Sequence, residues 1–380
     1  MQTTFNNVIE NIDCHIKKRS HEELKALNYI IYGAGDTGKK IARQLKHFGY
    51  NVEFLFDDYS QSDLLMPENI NIYHVNDVIS QKVNVNKHFV VIIATWMPVD
   101  VVQKKLTYLP DFDMMTLTEL FSHFSGIIQL ENILFLTSFQ NYWKEKNAIC
   151  QLATLWQDDI SRDLYHQIWL YRLTGNRMYY PTISPGIQYF PQELVGQIHE
   201  LNMIDCGAHR GDTIQQAAKL FSLCNVIAFE PDLSNFNELS RVCTDLKNQA
   251  KIKGTVLTLP CGVYNKTYYF RFDSSGNQAS HLSEQGNSMI QTVSIDMLSL
   301  DSVEINFIKM DIEGAEVEAL EGMQNFIQKK RPILALSAYH KPSDLLNIVF
   351  LIQAWNLNYR FYLRNYRAEG MDLIIYALPH

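Results

Sequence analysis

Two glycine-rich turns, each lying between an apolar run and a helical pattern, constrain the fold of this 380-residue chain most strongly. The first turn, GAGDTG at 33–38, follows the apolar run NYIIY at 28–32. The second, DCGAHRGDT at 205–213, follows a short apolar run at 201–204. Each pattern predicts a strand, a tight turn and a helix, the unit from which parallel sheets are built. The chain therefore predicts an α/β protein with two such sheets.

The first sheet is predicted from strands at 28–32, 52–56 and 89–95, with helices between them. This alternation is typical of a doubly wound, Rossmann-like sheet, here covering 28–125. We assign residues 1–125 to that domain. Residues 126–195 are rich in aromatic residues and helical patterns and predict a connector, with an irregular part between Gly175 and Pro191. Residues 196–380 form the third predicted region.

The second sheet is predicted from seven short apolar runs. Five should be parallel strands, at 201–204, 226–229, 255–259, 306–310 and 333–336. The last two, at 359–363 and 372–378, are separated by the turn-like segment NYRAEGM and predict an antiparallel hairpin. Five parallel strands closed by a hairpin are the strand inventory of a class I methyltransferase sheet.

Composition disfavours several classes of protein. Hydrophobic residues make up 47% and charged residues 19%, which is typical of a folded globular protein. The net charge of −8 disfavours nucleic-acid binding, because phosphate contacts need a basic surface. The arginines and aromatics of YRFYLRNYR (359–367) are therefore interpreted as an amphipathic strand.

No apolar run reaches the roughly 18 residues of a membrane span. With no secretory pattern at the start, we expect a cytoplasmic protein. The six scattered cysteines predict neither a zinc site nor a disulfide framework.

The second turn has the chemistry of a nucleoside site. Small residues in Asp205-x-Gly207-x-x-x-Gly211 let the backbone approach a ligand near an open helix N-terminus. Glu230 lies 23 positions after Gly207, at the end of the next predicted strand, where a carboxylate can accept both ribose hydroxyls. The glycine spacing does not build a pyrophosphate cradle, which favours S-adenosylmethionine over NAD.

Seven sequence blocks resemble one known family. They are DCGAHRGDT, AFEPD (228–232), LPCGV (259–263), VSID (293–296), FIKMDIEGAE (307–316), RPILALSAYHKPSDL (331–345) and YRFYLRNY (359–366). In this order they resemble the FkbM-type S-adenosylmethionine-dependent methyltransferases. The resemblance implies an O-methyltransferase acting on a hydroxyl of a sugar-containing or natural-product acceptor, either a small molecule or one linked to a glycan or lipid.

The resemblance also implies roles for individual residues. Glu230 would bind the ribose, and the turn at Cys261 and Gly262 would lie beside the adenine. His209 departs from the family pattern, which more often has Asn or an aromatic residue there. The remaining cofactor residues, on the methionine and ribose side, would be Asp205, Gly207, Gly211, Asp212 and Thr213.

Methyl transfer to a hydroxyl needs in-line positioning and usually a base. Asp311, Glu313 and His340 lie at predicted strand ends on the edge where such sheets bind ligands. We predict His340 as the base and Asp311 as the group that positions acceptor or cofactor. Asp311 and Glu313 could instead bind a divalent cation, although no further ligand cluster is evident. Glu316 and Glu318 are interpreted as acids favoured by a helix dipole.

The first turn is a complete G-x-G-x-x-G, formed by Gly33, Gly35 and Gly38, and Asp57 follows where a ribose-binding acid would lie. Three interpretations stay open: an NAD or nucleotide-sugar site, a domain that presents the acceptor, or a scaffold. The alternatives to a methyltransferase are accordingly an NAD(P)-dependent oxidoreductase or epimerase, or a non-enzymatic nucleotide-binding scaffold.

Overall fold

The computed structural model describes residues 5, 9–10, 20–60, 64–80, 83, 88–95, 97–109, 111–124, 134–273, 281–282 and 288–380. The chain divides into two compact units. The first unit comprises residues 1–154, 162–183 and 367–371, and the second comprises residues 155–161, 184–366 and 372–380. The predicted connector, 126–195, is thus divided between the two units. Cys14 lies outside the described residues.

The first unit contains a six-stranded sheet. Its strands are β1 Asn28–Tyr32, β2 Asn51–Asp57, β3 Leu64–Leu65, β4 Asn71–His74, β5 Phe89–Ile93 and β6 Phe112–Met115. Their order is β3-β4-β2-β1-β5-β6, and all neighbours are parallel except β3 and β4. All five residues of β5 are buried, as expected of a central parallel strand covered on both faces. The three predicted strands form, and β3, β4 and β6 extend the sheet.

Seven helices of the first unit are α1 His21–Lys25, α2 Asp36–His47, α3 Val75–Ile79, α4 Val99–Lys105, α5 Leu117–His123, α6 Phe139–Lys144 and α7 Lys146–Leu152. Helix α8, Asp159–Thr174, begins in residues of the second unit and continues into the first. A capping box starts α5: Thr116 Oγ1 accepts from the Glu119 N–H, and the Glu119 carboxylate accepts from the Thr116 N–H. Short 3₁₀ turns cover Arg177–Tyr179 and Ala368–Gly370.

The second unit contains a seven-stranded sheet. Its strands are β7 Glu200–Cys206, β8 Ser222–Phe229, β9 Val256–Leu259, β14 Phe307–Met310, β15 Ile333–Ser337, β16 Arg360–Asn365 and β17 Leu373–Leu378. Their order is β16-β17-β15-β14-β7-β8-β9. Five strands are parallel, and β17 is antiparallel to both β15 and β16. All seven predicted strands therefore form, with ends that differ by up to four residues.

A second, four-stranded sheet lies between β9 and β14 in the chain. It consists of β10 Gly262–Val263, β11 Tyr268–Asp273, β12 His281–Leu282 and β13 Ser288–Val293, in the order β10-β13-β11-β12. The sequence patterns did not predict these strands. They are short and show neither a clean alternation of polar and apolar residues nor the apolar runs typical of buried parallel strands.

The helices of the second unit are α9 Gln192–Val195, α10 Asp212–Leu220, α11 Leu233–Asn248, α12 Glu316–Glu321, α13 Gln324–Lys330 and α14 Asp344–Ala354, with a 3₁₀ turn at Ile295–Met297. Buried residues of β7, β8 and β17 join those of α10 and α11 in one core. This core holds the carboxyl ends of β7, β8 and β14 at one edge of the sheet. No helix among the described residues is long and apolar enough to cross a membrane. The cytoplasmic location stays a prediction.

Candidate functional site

The turn after β7 lies against the backbone that follows β14. Gly207 (φ +76°) and Gly211 (φ +85°) adopt left-handed conformations, and so does His209 (φ +48°). A Cβ atom on Gly207 would lie 1.9 Å from the carbonyl oxygen of Asp311. The predicted reason for this glycine was access of a ligand to the backbone. The structure adds another reason, which is the close approach of the chain that leaves β14.

Glu230 is fixed at the end of β8 by two backbone donors. Its Oε2 accepts from the His209 N–H at 2.8 Å, and its Oε1 accepts from the Asp232 N–H at 3.0 Å. Burial raises the pKa of Glu230, and these two hydrogen bonds oppose that rise. A carboxylate oxygen has two acceptor positions. Each oxygen of Glu230 therefore keeps one position for a hydroxyl group.

The other predicted cofactor residues lie on the same edge or beside it. Asp212 and Thr213 begin α10, where Thr213 is buried and the Asp212 side chain is 77% exposed. Cys261 is buried before β10, and burial raises the pKa of its thiol to about 11, so it is a poor nucleophile at neutral pH. Gly262 opens β10. Their roles toward a cofactor stay predictions.

Asp205 forms a buried ion pair with Lys309 of β14. The Lys309 Nζ lies 3.0 Å from the Asp205 Oδ1, and these side chains are 4% and 0% exposed. The Asp205 Oδ2 is buried and has no hydrogen-bond partner among the residues that the structure describes. Such an orphaned buried oxygen needs a ligand or an ordered water.

Asp311 follows β14 and is held by two tyrosines. The Tyr189 hydroxyl donates to its Oδ2 at 2.8 Å, and the Tyr339 hydroxyl donates to its Oδ1 at 3.1 Å. Burial alone would raise the pKa of Asp311. The positive charges of His340 and Lys309 and the hydrogen bond from Tyr189 outweigh burial, so the pKa lies below its ordinary value. Asp311 is therefore ionised at neutral pH.

His340 lies among three carboxylates. Its Nδ1 donates to the Glu316 Oε1 at 3.0 Å, while its Nε2 lies 3.3 Å from the Asp311 Oδ1 and 3.6 Å from the Glu313 Oε2. Burial lowers the pKa of His340, but the carboxylates outweigh it and raise the pKa to about 10. The ring is thus protonated at neutral pH. An imidazolium cannot accept a proton, so this geometry favours a charge-balancing role over the predicted role as base.

Glu313 has a strained backbone and a shifted pKa. Its φ of +56° is unusual for a residue other than glycine. Its side chain is 31% exposed. Burial raises the pKa of Glu313 to about 7, despite the opposing charge of His340. A carboxylate with that pKa can accept or release a proton near neutrality.

Asp311, Glu316 and His340 meet the distance requirement for a metal site, because their candidate ligand atoms lie within 4.8 Å of one another. However, each ring nitrogen of His340 faces a carboxylate oxygen at 3.0 or 3.3 Å. A protonated ring has no free lone pair for a metal. With the ring protonated the arrangement is an ion cluster, and a metal ion bound there would have to displace that proton.

Sequence analysis missed four residues of this region. Lys309 was part of a recognised block without a role, and Glu316 was interpreted as a helix-dipole acid. Glu316 is fully buried and accepts from His340 and from the Ile312 N–H. Tyr339 was likewise part of a recognised block without a role, and Tyr189 had no distinguishing signal among 20 tyrosines. Only a charged residue inside an apolar strand, such as Lys309, could have been noticed beforehand.

The glycine turn of the first unit has a geometry of its own. The Asp57 Oδ2 accepts from the Ala34 N–H at 2.9 Å, and its Oδ1 accepts from the Tyr59 N–H at 2.8 Å. A Cβ atom on Gly38 would lie 1.9 Å from the Gly33 carbonyl oxygen, whereas one on Gly35 would have no atom of the described residues within 4 Å. Gly38 is thus explained by packing. An NAD or nucleotide-sugar site there stays a prediction.

Comparison with known proteins finds a family match within the second unit. The family model of the methyltransferase FkbM domain matches residues 205–361, a range that contains Asp205, Glu230, Asp311 and His340. Residues 205–361 are thus similar to FkbM methyltransferase domains. The predicted resemblance is therefore confirmed.

Two proteins similar to this chain add detail to the FkbM methyltransferase domain. Hexuronic acid methyltransferase AglP from Haloferax volcanii is 32% identical over 132 residues. This match covers 33% of the present chain and 52% of AglP, so the chain spans about half the length of that relative. The crystal structure of methyltransferase FkbM from Methylobacillus flagellatus superposes with a TM-score of 0.74 at 20% identity, over 99% of this chain and 98% of that one. At this identity the likeness concerns the fold alone, and it confirms the predicted fold class.

Proposed function

We propose that the second unit binds S-adenosylmethionine and transfers its methyl group to a hydroxyl of a sugar-containing acceptor. The observation that carries this proposal is a row of three acids at one edge of the sheet. Asp205, Glu230 and Asp311 lie at the carboxyl ends of β7, β8 and β14, which are neighbours in the order β14-β7-β8. Ligands of open α/β sheets bind at this edge.

The residues present fit this cofactor. S-Adenosylmethionine, when bound, supplies an electrophilic methyl group on a cationic sulfonium. Glu230 keeps acceptor positions for the two ribose hydroxyls, and the orphaned Oδ2 of Asp205 can accept from an ammonium group. Three carboxylates, the buried Asp205 and Glu316 and the partly exposed Asp311, face two cations, Lys309 and His340. The surplus negative charge favours a ligand with positive charge.

The accessible polar groups favour a neutral hydroxyl as acceptor. Asp311 and Glu313 have side chains that are 23% and 31% exposed, whereas the His340 side chain is 3% exposed. Carboxylates are hydrogen-bond acceptors and suit the hydroxyls of a sugar. The name of the Haloferax volcanii relative, a hexuronic acid methyltransferase, also supports a sugar. We do not propose nucleic acid as the acceptor, in line with the acidic composition.

We further propose Glu313 as the proton acceptor for the hydroxyl. Its pKa of about 7 and its partial exposure meet the requirements of a general base better than the protonated His340. Asp311, held by Tyr189 and Tyr339, would then position the acceptor. The imidazolium of His340 would hold the Asp311 and Glu316 carboxylates in place.

Replacing Glu230 with alanine tests the cofactor site. We expect Glu230→Ala to weaken binding of S-adenosylhomocysteine about 10- to 100-fold, because two charge-assisted hydrogen bonds are lost. Isothermal titration calorimetry measures the dissociation constant. The matched control is Glu238→Ala, which removes an acid on α11 that is 43% exposed and pairs with Arg210. Equal affinity of Glu230→Ala and wild type would place the cofactor elsewhere.

Replacing Glu313 with glutamine tests the base. We expect the wild-type rate to rise with pH through about 7, because the ionised carboxylate accepts the proton. Glu313→Gln should lower turnover about 100- to 10,000-fold, remove that rise and leave the S-adenosylhomocysteine affinity unchanged. Release of S-adenosylhomocysteine with a panel of hexosides and hexuronides gives the rates. Glu318→Gln, an equally exposed acid of α12, is the control. An unaltered pH profile in Glu313→Gln would remove Glu313 from this role.

A further inference from the structure

Lys309 is a buried lysine in the middle of an otherwise apolar strand. It occupies the third position of β14, and all four residues of this strand are buried. In the parallel pairing of β14 with β7, Lys309 lies opposite Asp205. Fully buried lysines are rare and are almost always paired, because an unpaired ammonium group loses its hydration. Packing alone therefore does not explain a lysine at this position.

The ammonium group of Lys309 joins three separate parts of the site. It donates to the Gly207 carbonyl oxygen at 2.6 Å and lies 3.0 Å from the Asp205 Oδ1. It also lies 5.4 Å from the centre of the Tyr189 ring, within the range of a cation–π contact. Strand β7, the glycine turn and the segment before α9 thus meet at one nitrogen atom.

We propose that Lys309 is a positioning residue that orients Asp205 and the glycine turn for the cofactor. The proposal rests on the proposed function, since it needs S-adenosylmethionine to bind at this edge. The contact with Lys309 directs one oxygen of Asp205 toward the ammonium group and leaves Oδ2 without a partner among the described residues. That free oxygen is the group available to a cationic ligand. The bond to the Gly207 carbonyl fixes the turn whose neighbour, His209, donates to Glu230.

Charge gives Lys309 a second effect on Asp205. Burial raises the pKa of Asp205, and the ammonium group opposes that rise. Two other acids near Asp205, which are Asp212 of α10 and Asp311 after β14, raise the pKa of Asp205 and so oppose the effect of Lys309. The buried thiols nearby are those of Cys206 in β7 and Cys243 in α11. Without Lys309, Asp205 should take up a proton at a higher pH and lose its attraction for a cation.

The test is calorimetry with S-adenosylhomocysteine between pH 6 and 9. For Lys309→Met we expect at least a 10-fold loss of affinity at pH 7 and a partial recovery as the pH rises, because Asp205 ionises again. Wild type should lose affinity only at a lower pH. Lys329→Met is the matched control, since Lys329 also pairs with an aspartate, Asp301 at 2.7 Å, but is 59% exposed. A purely structural role of Lys309 would not move the pH profile.

A second variant covers the case in which Lys309→Met does not fold. Lys309→Met with Asp205→Asn removes both charges of the buried pair, and such neutral replacements are often tolerated. We expect this double variant to fold, to bind S-adenosylhomocysteine at least 10-fold more weakly than wild type, and to show little change between pH 6 and 9. Wild-type affinity in either variant would overturn the role of Lys309. Absence of binding to the wild-type protein would instead overturn the proposed function, and this proposal with it.

Discussion

Gly207→Ala should destabilise the second unit by about 3–5 kcal/mol, because the added Cβ atom has no space and an unfavourable backbone conformation. The Cβ would lie 1.9 Å from the carbonyl oxygen of Asp311 and 2.9 Å from its carbonyl carbon. Both are backbone atoms at the end of the central strand β14, so neither can move without displacing the strand. The left-handed φ of +76° adds a further strain of about 1–2 kcal/mol for alanine.

The measurement is native-state hydrogen exchange of peptides from β7 and β14, which reports the free energy of opening in this unit. The control is Gly262→Ala in the same unit, where the nearest atom to the new Cβ would be the Thr292 Cγ2 at the ordinary distance of 3.4 Å. We expect that control to lie within about 1 kcal/mol of wild type. Wild-type protection of β7 and β14 in Gly207→Ala would contradict the packing argument.

His340→Gln should have the second large effect, a loss of about 3–5 kcal/mol at pH 7, because the Asp311 and Glu316 carboxylates lose their shared cation. The pH dependence has a definite sign. The pKa of His340 is about 10 in the folded protein, above the 6.5 of the unfolded chain. Its stabilising contribution is therefore complete below pH 6.5 and declines as the pH rises toward 10. At about 1.4 kcal/mol per pKa unit, the decline amounts to at most about 5 kcal/mol.

Hydrogen exchange of β14 and β15 between pH 6 and 9.5, corrected for intrinsic exchange rates, measures this dependence. The difference between wild type and His340→Gln isolates the contribution of His340 from other titrating groups. His199→Gln replaces an exposed histidine of the same unit and should not alter the profile. A difference that grows with pH would show that the ring is neutral in the folded protein, and would return His340 to consideration as a base.

The Gly207, His340 and Lys309 variants all alter the same small region of the second unit. Two groups of ion pairs, Asp205 with Lys309 and His340 with Asp311 and Glu316, are linked by the charge interaction of Lys309 with Asp311. Buried ion pairs often add little net stability, but removal of one partner leaves an unpaired charge in a region of low dielectric constant. Variants of a single member should therefore be severe, whereas variants that neutralise a pair should be mild.

The strands of the second sheet were predictable, because the central strands are largely buried on both faces and consist mostly of apolar residues. Val226 to Phe229 and Ile333 to Leu336 are continuous apolar runs. The strands β10 to β13 were not predictable in the same way. In β11, Tyr268 and Tyr269 are both exposed, so neither a continuous run nor a clean alternation marks the strand.

The acids of the site were predictable from their positions after strands, and Asp205, Glu230, Asp311, Glu313 and His340 all lie at the expected edge of the sheet. Their protonation states were not predictable. A histidine after a strand suggests a base from sequence, because its ordinary pKa is near neutrality. Three carboxylates around the His340 ring, from residues 24 to 29 positions away in the chain, change that expectation.

The sequence by itself determined the class of the fold, the family of residues 205–361 and the edge at which the acids gather, because strand periodicity and short motifs are local properties of the chain. Only the tertiary structure decided which acids share a cation. Those pairings join residues such as Asp205 and Lys309, 104 positions apart. The pKa of a buried group depends on the charges within a few ångströms, and these distances are set by strand order and register, which no local pattern contains.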